Sequence, residues 1–207
     1  MHVNSFPLGP LGTNSYILDN GIEALAIDVG GDPADMLAFL SRNNLKLLAI
    51  LITHRHFDHL YGVAALQKVL DVPCYLPSGE DVLRDSEAAQ GGIWGMPMVP
   101  AFSETSLSEG STRIGSFEIT VLNTPGHTPG SVSYYIREAG CVFTGDALFY
   151  RSVGRTDFPM GDHQKLLASI RENLFTLPPE TIVYPGHGPQ SSIGDERQHN
   201  PFVGDFA

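Results

Sequence analysis

The segment at residues 53–59, with the sequence THRHFDH, constrains this chain more than any other, because it concentrates three histidines and an aspartate. It follows an apolar run at residues 47–52, which is typical of a fully buried strand. It precedes residues 60–70, in which the apolar positions have the spacing of a helix. The segment is therefore predicted to be a strand-to-helix turn.

Four side chains of this turn can converge. Residues two apart in an extended backbone point the same way, so His54, His56 and Asp58 can face one point, and His59 can reach it from the first helical turn. Converging imidazole and carboxylate groups suit zinc, iron or manganese. The alternative is a polar turn without a metal, so the rest of the chain has to supply the context.

Composition narrows the class of protein. The chain has 207 residues, of which 42% are hydrophobic and 17% charged, as in a globular protein with a sizeable core. Its formal net charge of -11 argues against nucleic acid or an anionic membrane surface as the main partner, because both require basic patches. The N-terminus lacks a secretory pattern and no apolar run has membrane-spanning length, so a cytoplasmic protein is expected. Cys74 and Cys141 lie in short apolar runs and are predicted to be buried free thiols.

The order of elements predicts two sheets. Apolar runs at residues 15–19 and 24–29 flank a hairpin signal, and a helix is expected over about 34–43. Further elements are a short strand at 72–76, a short helix at 79–90, strands at 112–114, 116–122, 131–136, 141–144 and 181–184, the last in the chain, and a helix over 162–174. Strands followed twice by helices indicate an α+β fold of two sheets packed face to face with helices outside, in one domain spanning residues 1–207.

Three later turns share one pattern, in which a strand and a glycine-containing turn lead to a histidine or an aspartate. They present His127, Asp146 and His187. Aligned strands would bring these turns to one edge of the sheets. Each turn alone is weak evidence for a metal site, but five of the eight histidines lie in these turns and the first cluster. The remaining histidines are predicted to be surface or structural residues: His2, His163 and His199.

The loop at residues 91–102 is apolar and rich in glycine and proline, and it holds the only tryptophan, Trp94. One interpretation is a flap over the active site or a partner surface. The other is a loop packed on its own core.

The ordered set of seven residues resembles the metallo-β-lactamase superfamily over nearly the whole chain. The resemblance implies a four-layer αββα sandwich with the metals, most simply two zinc ions, at one edge of the sheets. In two-metal members the first ion would be bound by His54, His56 and His127. The second would be bound by Asp58, His59 and His187, and Asp146 would bridge the two.

A narrower resemblance rests on residues 145–149 and 154–158, which look like the hydroxyacylglutathione hydrolases (glyoxalase II-like) and the persulfide dioxygenases. The ending, at 185–189 and 196–202, is closer to short single-domain glyoxalase II-like hydrolases. Two-domain glyoxalase II adds a helical domain that helps to hold glutathione, whereas twenty residues follow His187 here. Thioester chemistry therefore carries over better than glutathione specificity. The presence of His59 and the expected cytoplasmic location disfavour antibiotic hydrolysis.

The expected substrate is a small-molecule thioester such as S-lactoylglutathione. Two metals would lower the pKa of a shared water and so supply a hydroxide nucleophile, which Asp58 would orient. The alternatives are a mononuclear iron persulfide dioxygenase that uses His54, His127 and Asp146, a lactonase, and a non-catalytic metal-stabilised binding protein. The sequence leaves the oligomeric state open.

Two arginines near the ligands carry separate expectations. Arg55 stands where the family often has a small or neutral residue. Its side chain is expected to point away from the metals, with little effect on ligation. Arg155 and Asp157 either pin the Asp146 loop or form a plain surface ion pair.

Overall fold

The computed structural model describes residues 1–92 and 95–207. Contacts divide the chain into two compact units, of which unit 1 comprises Met1–Leu107 and Ile114–Ser116 and unit 2 comprises Ser108–Arg113 and Phe117–Ala207. Trp94, on which the predicted flap centres, lies outside the described residues.

Unit 1 is built on a six-stranded mixed sheet in the order β1-β2-β3-β4-β5-β6. Its strands are β1 (His2–Leu8), β2 (Thr13–Asp19), β3 (Glu23–Ile27), β4 (Lys46–Leu51), β5 (Cys74–Pro77) and β6 (Thr105–Leu107). β1 to β3 pair antiparallel through tight turns, and β3 to β6 pair parallel. β4 is an interior strand of this parallel part, which explains its continuous apolar run.

The helices of unit 1 are α1 (Ala34–Arg42), α2 (Val63–Val69) and α3 (Glu87–Gln90). 3₁₀ turns occupy Phe57–His59 and Ser78–Leu83. The core of unit 1 includes Ile50 and Ile52 near the end of β4, Met36 of α1 and Leu66 of α2, all fully buried. This packing fixes the end of β4, from which the first ligand segment continues.

Unit 2 contains a six-stranded mixed sheet in the order β14-β13-β10-β9-β8-β7 and a two-stranded sheet of β11 and β12. The strands are β7 (Gly110–Ile114, whose last residue falls in unit 1), β8 (Phe117–Asn123), β9 (Val132–Ile136), β10 (Cys141–Gly145), β11 (Leu148–Phe149), β12 (Ser152–Val153), β13 (Ile182–Pro185) and β14 (Ser191–Ser192). β10 and β13 run parallel, so the turns that follow both strands leave from the same edge.

Two helices belong to unit 2, α4 (His163–Ser169) and α5 (Ile193–His199). Asp162 caps α4 by accepting a hydrogen bond from the Lys165 amide, and a π-helical turn at Ile170–Leu174 continues the helix. Leu166, Ile170 and Leu174 are fully buried, as their helical spacing predicts.

The predicted elements are present, with differences at their ends. The helix expected over 60–70 begins only at Val63, because residues 60–62 form a turn that continues the 3₁₀ turn Phe57–His59. The helix expected over 79–90 is a 3₁₀ turn followed by α3. The prediction that the strand at 181–184 is the last one was wrong, since β14 and α5 follow it. β1, β6 and β11 were not anticipated either, because they are short or lie with both faces partly exposed. Among the described residues no helix combines the length and apolarity needed to cross a membrane.

Candidate metal centre

The turn after β4 brings its four predicted ligands together within unit 1. The ring of His54 lies 4.8 Å from that of His56 and 4.2 Å from that of His59, measured between centroids. The Oδ2 atom of Asp58 lies 3.6 Å from Nε2 of His59. All four side chains are buried, although each is polar. Buried polar groups in this number require partners, and their nearest partners orient the imidazoles.

Asp28, just beyond β3, is the centre of this orientation. Its carboxylate accepts hydrogen bonds from the Thr53 amide at 2.8 Å, from the Thr53 hydroxyl at 2.9 Å and from Nδ1 of His59 at 2.8 Å. Because the Thr53 hydroxyl donates to Asp28, it accepts from Nδ1 of His54 at 3.0 Å. Both imidazoles therefore carry their proton on Nδ1 and direct the Nε2 lone pair away from Asp28, the tautomer that metal-binding histidines use.

Asp58 has an orienting partner of its own. The Thr13 hydroxyl donates to its Oδ2 atom at 2.8 Å. Burial, followed by the charge of Asp58, raises the pKa of the nearby Tyr61 hydroxyl.

Unit 2 brings together His127, Asp146 and His187, which follow β8, β10 and β13. The Oδ2 atom of Asp146 lies 3.6 Å from Nε2 of His127 and 3.6 Å from Nε2 of His187. Nδ1 of His127 donates to the carbonyl of Arg155 at 2.6 Å, which again leaves Nε2 to act as a ligand. Gly154 allows this loop to approach, because a Cβ there would lie 1.8 Å from the Asp146 carbonyl oxygen.

These donor sets fit metal ions. Two ligand atoms bound to one tetrahedral zinc at 2.0–2.1 Å lie about 3.4 Å apart, close to the three separations of 3.6 Å and too long for hydrogen bonds. The donors are imidazole nitrogens and carboxylate oxygens, which zinc, iron and manganese accept. Each unit thus gathers its own predicted ligands, four in unit 1 and three in unit 2.

The other histidines and the two cysteines singled out from the sequence lie in positions that indicate no functional role. His2, His163 and His199 are exposed, as predicted. Cys74 and Cys141 are buried free thiols, and burial raises the pKa of Cys141 to about 12. Neither thiol is a candidate nucleophile or ligand, because the reactive form is the thiolate.

Arg155 and Asp157 form a surface ion pair, with side chains 65% and 67% exposed. The hydrogen bonds that the Arg155 guanidinium donates to the Asp157 carboxylate lower the pKa of Asp157. The contribution of Arg155 to the site comes from its main-chain carbonyl, which orients His127.

The orienting residues Thr13, Asp28 and Thr53 were missed by sequence reasoning. Asp28 ends an apolar strand and precedes Val29-Gly30-Gly31, the same strand, turn and glycine pattern that marked the later ligands. That signal could have singled out Asp28. Thr13 carried no such signal, because it contacts Asp58 across 45 residues of sequence.

Two mixed sheets flanked by helices, with histidine and aspartate ligands at the strand ends, define a metallo-hydrolase fold. The family model of the metallo-beta-lactamase superfamily matches residues 8–187. The chain therefore belongs to that superfamily, and the predicted fold class is confirmed.

Relatives extend over almost the entire chain. A probable metallo-hydrolase, YqgX, from Bacillus subtilis is 39% identical and covers 97% of both chains. The hydroxyacylglutathione hydrolase GloC from Haemophilus influenzae is 34% identical and covers 98% of both.

Three solved structures are similar to this chain over most of its length. BLEG-1 B3 metallo-beta-lactamase is 42% identical with a TM-score of 0.91 and covers 98% of this chain and 99% of that one. A di-iron-bound form of TTHA1623 is also 42% identical, with a TM-score of 0.87, and covers 97% and 100%. ETHE1 from Myxococcus xanthus is 32% identical with a TM-score of 0.78 and covers 98% and 84%.

Proposed function

We propose that this metallo-hydrolase cleaves thioesters, with S-lactoylglutathione and related hydroxyacylglutathiones as its substrates. The observation that carries the proposal is the set of seven candidate ligands, four of which, His54, Asp58, His59 and His127, are oriented by hydrogen bonds to neighbouring groups. The relative named hydroxyacylglutathione hydrolase, which matches over 98% of both chains, supports this choice of substrate. Buried free thiols are consistent with a cytoplasmic enzyme, and a net charge of -11 does not favour nucleic acid or membrane partners.

In this proposal His54, His56 and His127 would hold one metal ion, and Asp58, His59 and His187 would hold a second. Asp146 would help to hold both ions, which is consistent with the equal distances from its Oδ2 atom to Nε2 of His127 and of His187. Zinc is the expected metal. The di-iron-bound structure makes iron the first alternative to measure, followed by manganese.

When bound, the metal ions would activate a water molecule and polarise the thioester carbonyl. Asp58 would orient the attacking water, and Thr13 holds the Asp58 carboxylate in place by its hydrogen bond. The leaving thiolate has a conjugate acid pKa of about 8.5, so the reaction needs no strong general acid.

β-Lactam hydrolysis is disfavoured by the presence of His59, but it is the second candidate to test because a similar structure carries the name of a B3 metallo-beta-lactamase. Metal analysis and activity assays on four substrate classes distinguish thioester hydrolysis from the β-lactamase, persulfide dioxygenase, lactonase and non-catalytic alternatives. The purified protein should bind close to two metal ions per chain and hydrolyse S-lactoylglutathione. Oxygen uptake with glutathione persulfide, or turnover of a β-lactam or a lactone without thioesterase activity, would refute the proposal. Bound metal without turnover of any of these would favour a binding role.

We expect Asp58→Ala to abolish thioester hydrolysis, because the attacking water loses its orienting group and the second site loses a ligand. The matched control is Asp157→Ala, which removes a carboxylate of the exposed ion pair and should leave hydrolysis unchanged. Steady-state kinetics and circular dichroism of both variants check the expectation. Retained hydrolysis in a folded Asp58→Ala protein would contradict the assigned role.

A further inference from the structure

Arg55 stands between two predicted ligands, His54 and His56, and it is itself buried, with a side chain 5% exposed. Neighbouring residues of an extended segment point in opposite directions, so the Arg55 side chain leaves the turn on the side away from the two imidazoles. There its backbone amide donates to Oε2 of Glu80 at 2.7 Å. Glu80 is fully buried in the 3₁₀ turn Ser78–Leu83.

The Arg55 guanidinium enters a four-residue charge network. Its Nη2 atom donates to Glu104 at 2.9 Å and to Asp81 at 3.4 Å. Arg84 pairs with both of these carboxylates from the solvent side. The network links the ligand turn to the 3₁₀ turn after β5 and to the residue that precedes β6. All of these residues belong to unit 1.

The buried pair of this network, Arg55 and Glu104, is costly to build, because burying charges loses hydration that ion pairing only partly recovers. A buried ion pair is therefore a weak source of stability, and its better-supported effect is to select one geometry. Here the geometry selected is that of the backbone at Arg55, flanked on both sides by imidazoles. Removing the arginine side chain would leave the segment held at this point by its backbone bond to Glu80. Among the described residues it would leave Glu104 with the half-exposed Arg84 as its cationic partner.

We propose that Arg55 is a positioning residue that tethers the ligand turn from behind and so holds His54 and His56 in the orientation that retains the metal. This inference rests on the metal centre of the proposed function and not on the substrate. It revises the sequence-based expectation that Arg55 has little effect on ligation.

A neighbouring cavity makes the idea testable by chemical rescue. A cavity of about 270 Å³ is lined by Arg55, Arg84 and Glu104 together with apolar residues that include Val99 and Phe102. In an Arg55→Ala protein the space of the lost guanidinium would join this cavity. A small guanidinium ion could then reach Glu104 from solvent.

The experiment measures the rate at which metal-loaded protein loses its metal to an excess of chelator, without substrate. Arg55→Ala should release metal about 10–100-fold faster, the usual effect of removing a residue that supports a ligand. Arg55→Lys should restore part of the retention, because an ammonium can still pair with Glu104. Millimolar ethylguanidinium should also slow release from Arg55→Ala, whereas tetramethylammonium at equal ionic strength should not.

Arg84→Ala is the matched control, because Arg84 shares both carboxylates but has no bond to the ligand turn, and it should change release less than threefold. Release at the wild-type rate from Arg55→Ala, or equally fast release from Arg84→Ala, would overturn the inference. If Arg55→Ala does not fold, Glu104→Gln is measured instead. Faster metal release from Glu104→Gln than from Arg84→Ala would support the inference, and release at the wild-type rate would overturn it. A failed thioesterase assay with normal metal binding would refute the proposed substrate and leave this inference standing.

Discussion

At the scale of single residues, the protons of the imidazoles are placed by groups outside the ligand set. Asp28 and Thr53 hold Nδ1 of His59 and His54, and the Arg155 carbonyl holds Nδ1 of His127. Without these acceptors an imidazole could rotate or bind its proton on Nε2, where it could not act as a ligand. Metal affinity should therefore depend on residues that never touch the metal.

Asp28→Ala should weaken metal binding about 10–100-fold, because His59 and Thr53 lose their common acceptor. The matched control is Asp19→Ala, which removes another buried carboxylate with hydrogen bonds to Asn4 and to the Gly21 amide, far along the chain from the ligands. Competition titration with a chromophoric chelator measures both affinities. Equal loss in the two variants would mean that a general loss of stability, and not imidazole orientation, controls the affinity.

At the scale of elements, the β11–β12 hairpin that follows Asp146 is fastened to α5. Glu196 of α5 is fully buried and accepts hydrogen bonds from the Arg151 amide at 2.9 Å and from Nη1 of Arg151 at 2.8 Å. It also accepts from Asn200, which in turn donates to the Ser152 carbonyl at 3.0 Å. Arg151 adopts a φ of 55°, a left-handed conformation that this set of bonds maintains.

Glu196→Gln should lower the free energy of unfolding by about 1–3 kcal/mol, because an amide NH₂ would replace an acceptor that faces buried donors. Urea denaturation measures this loss. Glu172→Gln, an exposed substitution in the π-helical turn, is the control and should change stability by less than about 0.5 kcal/mol. A Glu196→Gln protein as stable as the control would show that water replaces these bonds at no cost.

At the scale of the whole molecule, the candidate ligand carboxylates are part of a formal net charge of -11. Three of the buried candidate ligands are histidines of one short turn, so the folded chain gathers buried imidazoles that bound metal ions would stabilise. The stability of the chain should accordingly be linked to metal binding.

Removal of the metal should lower Tm by about 5–10 °C, since a ligand at 100 times its Kd stabilises the native state by about 2.7 kcal/mol. Differential scanning calorimetry before and after chelation measures the shift, and added zinc should reverse it. If residues 1–207 form one domain, as predicted from the sequence, the loaded protein should unfold in a single transition. Two transitions, or a Tm indifferent to chelation, would contradict these expectations.

Much of the fold and the identity of the candidate ligands followed from the sequence alone. The apolar run at 47–52 predicted a buried strand, because a strand buried on both faces has no polar positions. The structure confirms it as β4. His54, His56, Asp58, His127 and Asp146 could be named because strand ends and glycine turns are local patterns, and because metal ions select a few donor types.

Only the tertiary structure decided which residues support those ligands. Thr13, Asp28 and Glu104 lie 45, 31 and 49 residues from their partners in the ligand turn, and neither spacing nor composition marks such contacts. β1 and α5 escaped prediction for a related reason. The apolar residues of β1 do not alternate regularly with polar ones, α5 is largely polar, and the conformation of both depends on neighbours distant in sequence. Local periodicity reports the conformation of the backbone, whereas burial and hydrogen-bond partners exist only once separate segments have packed together.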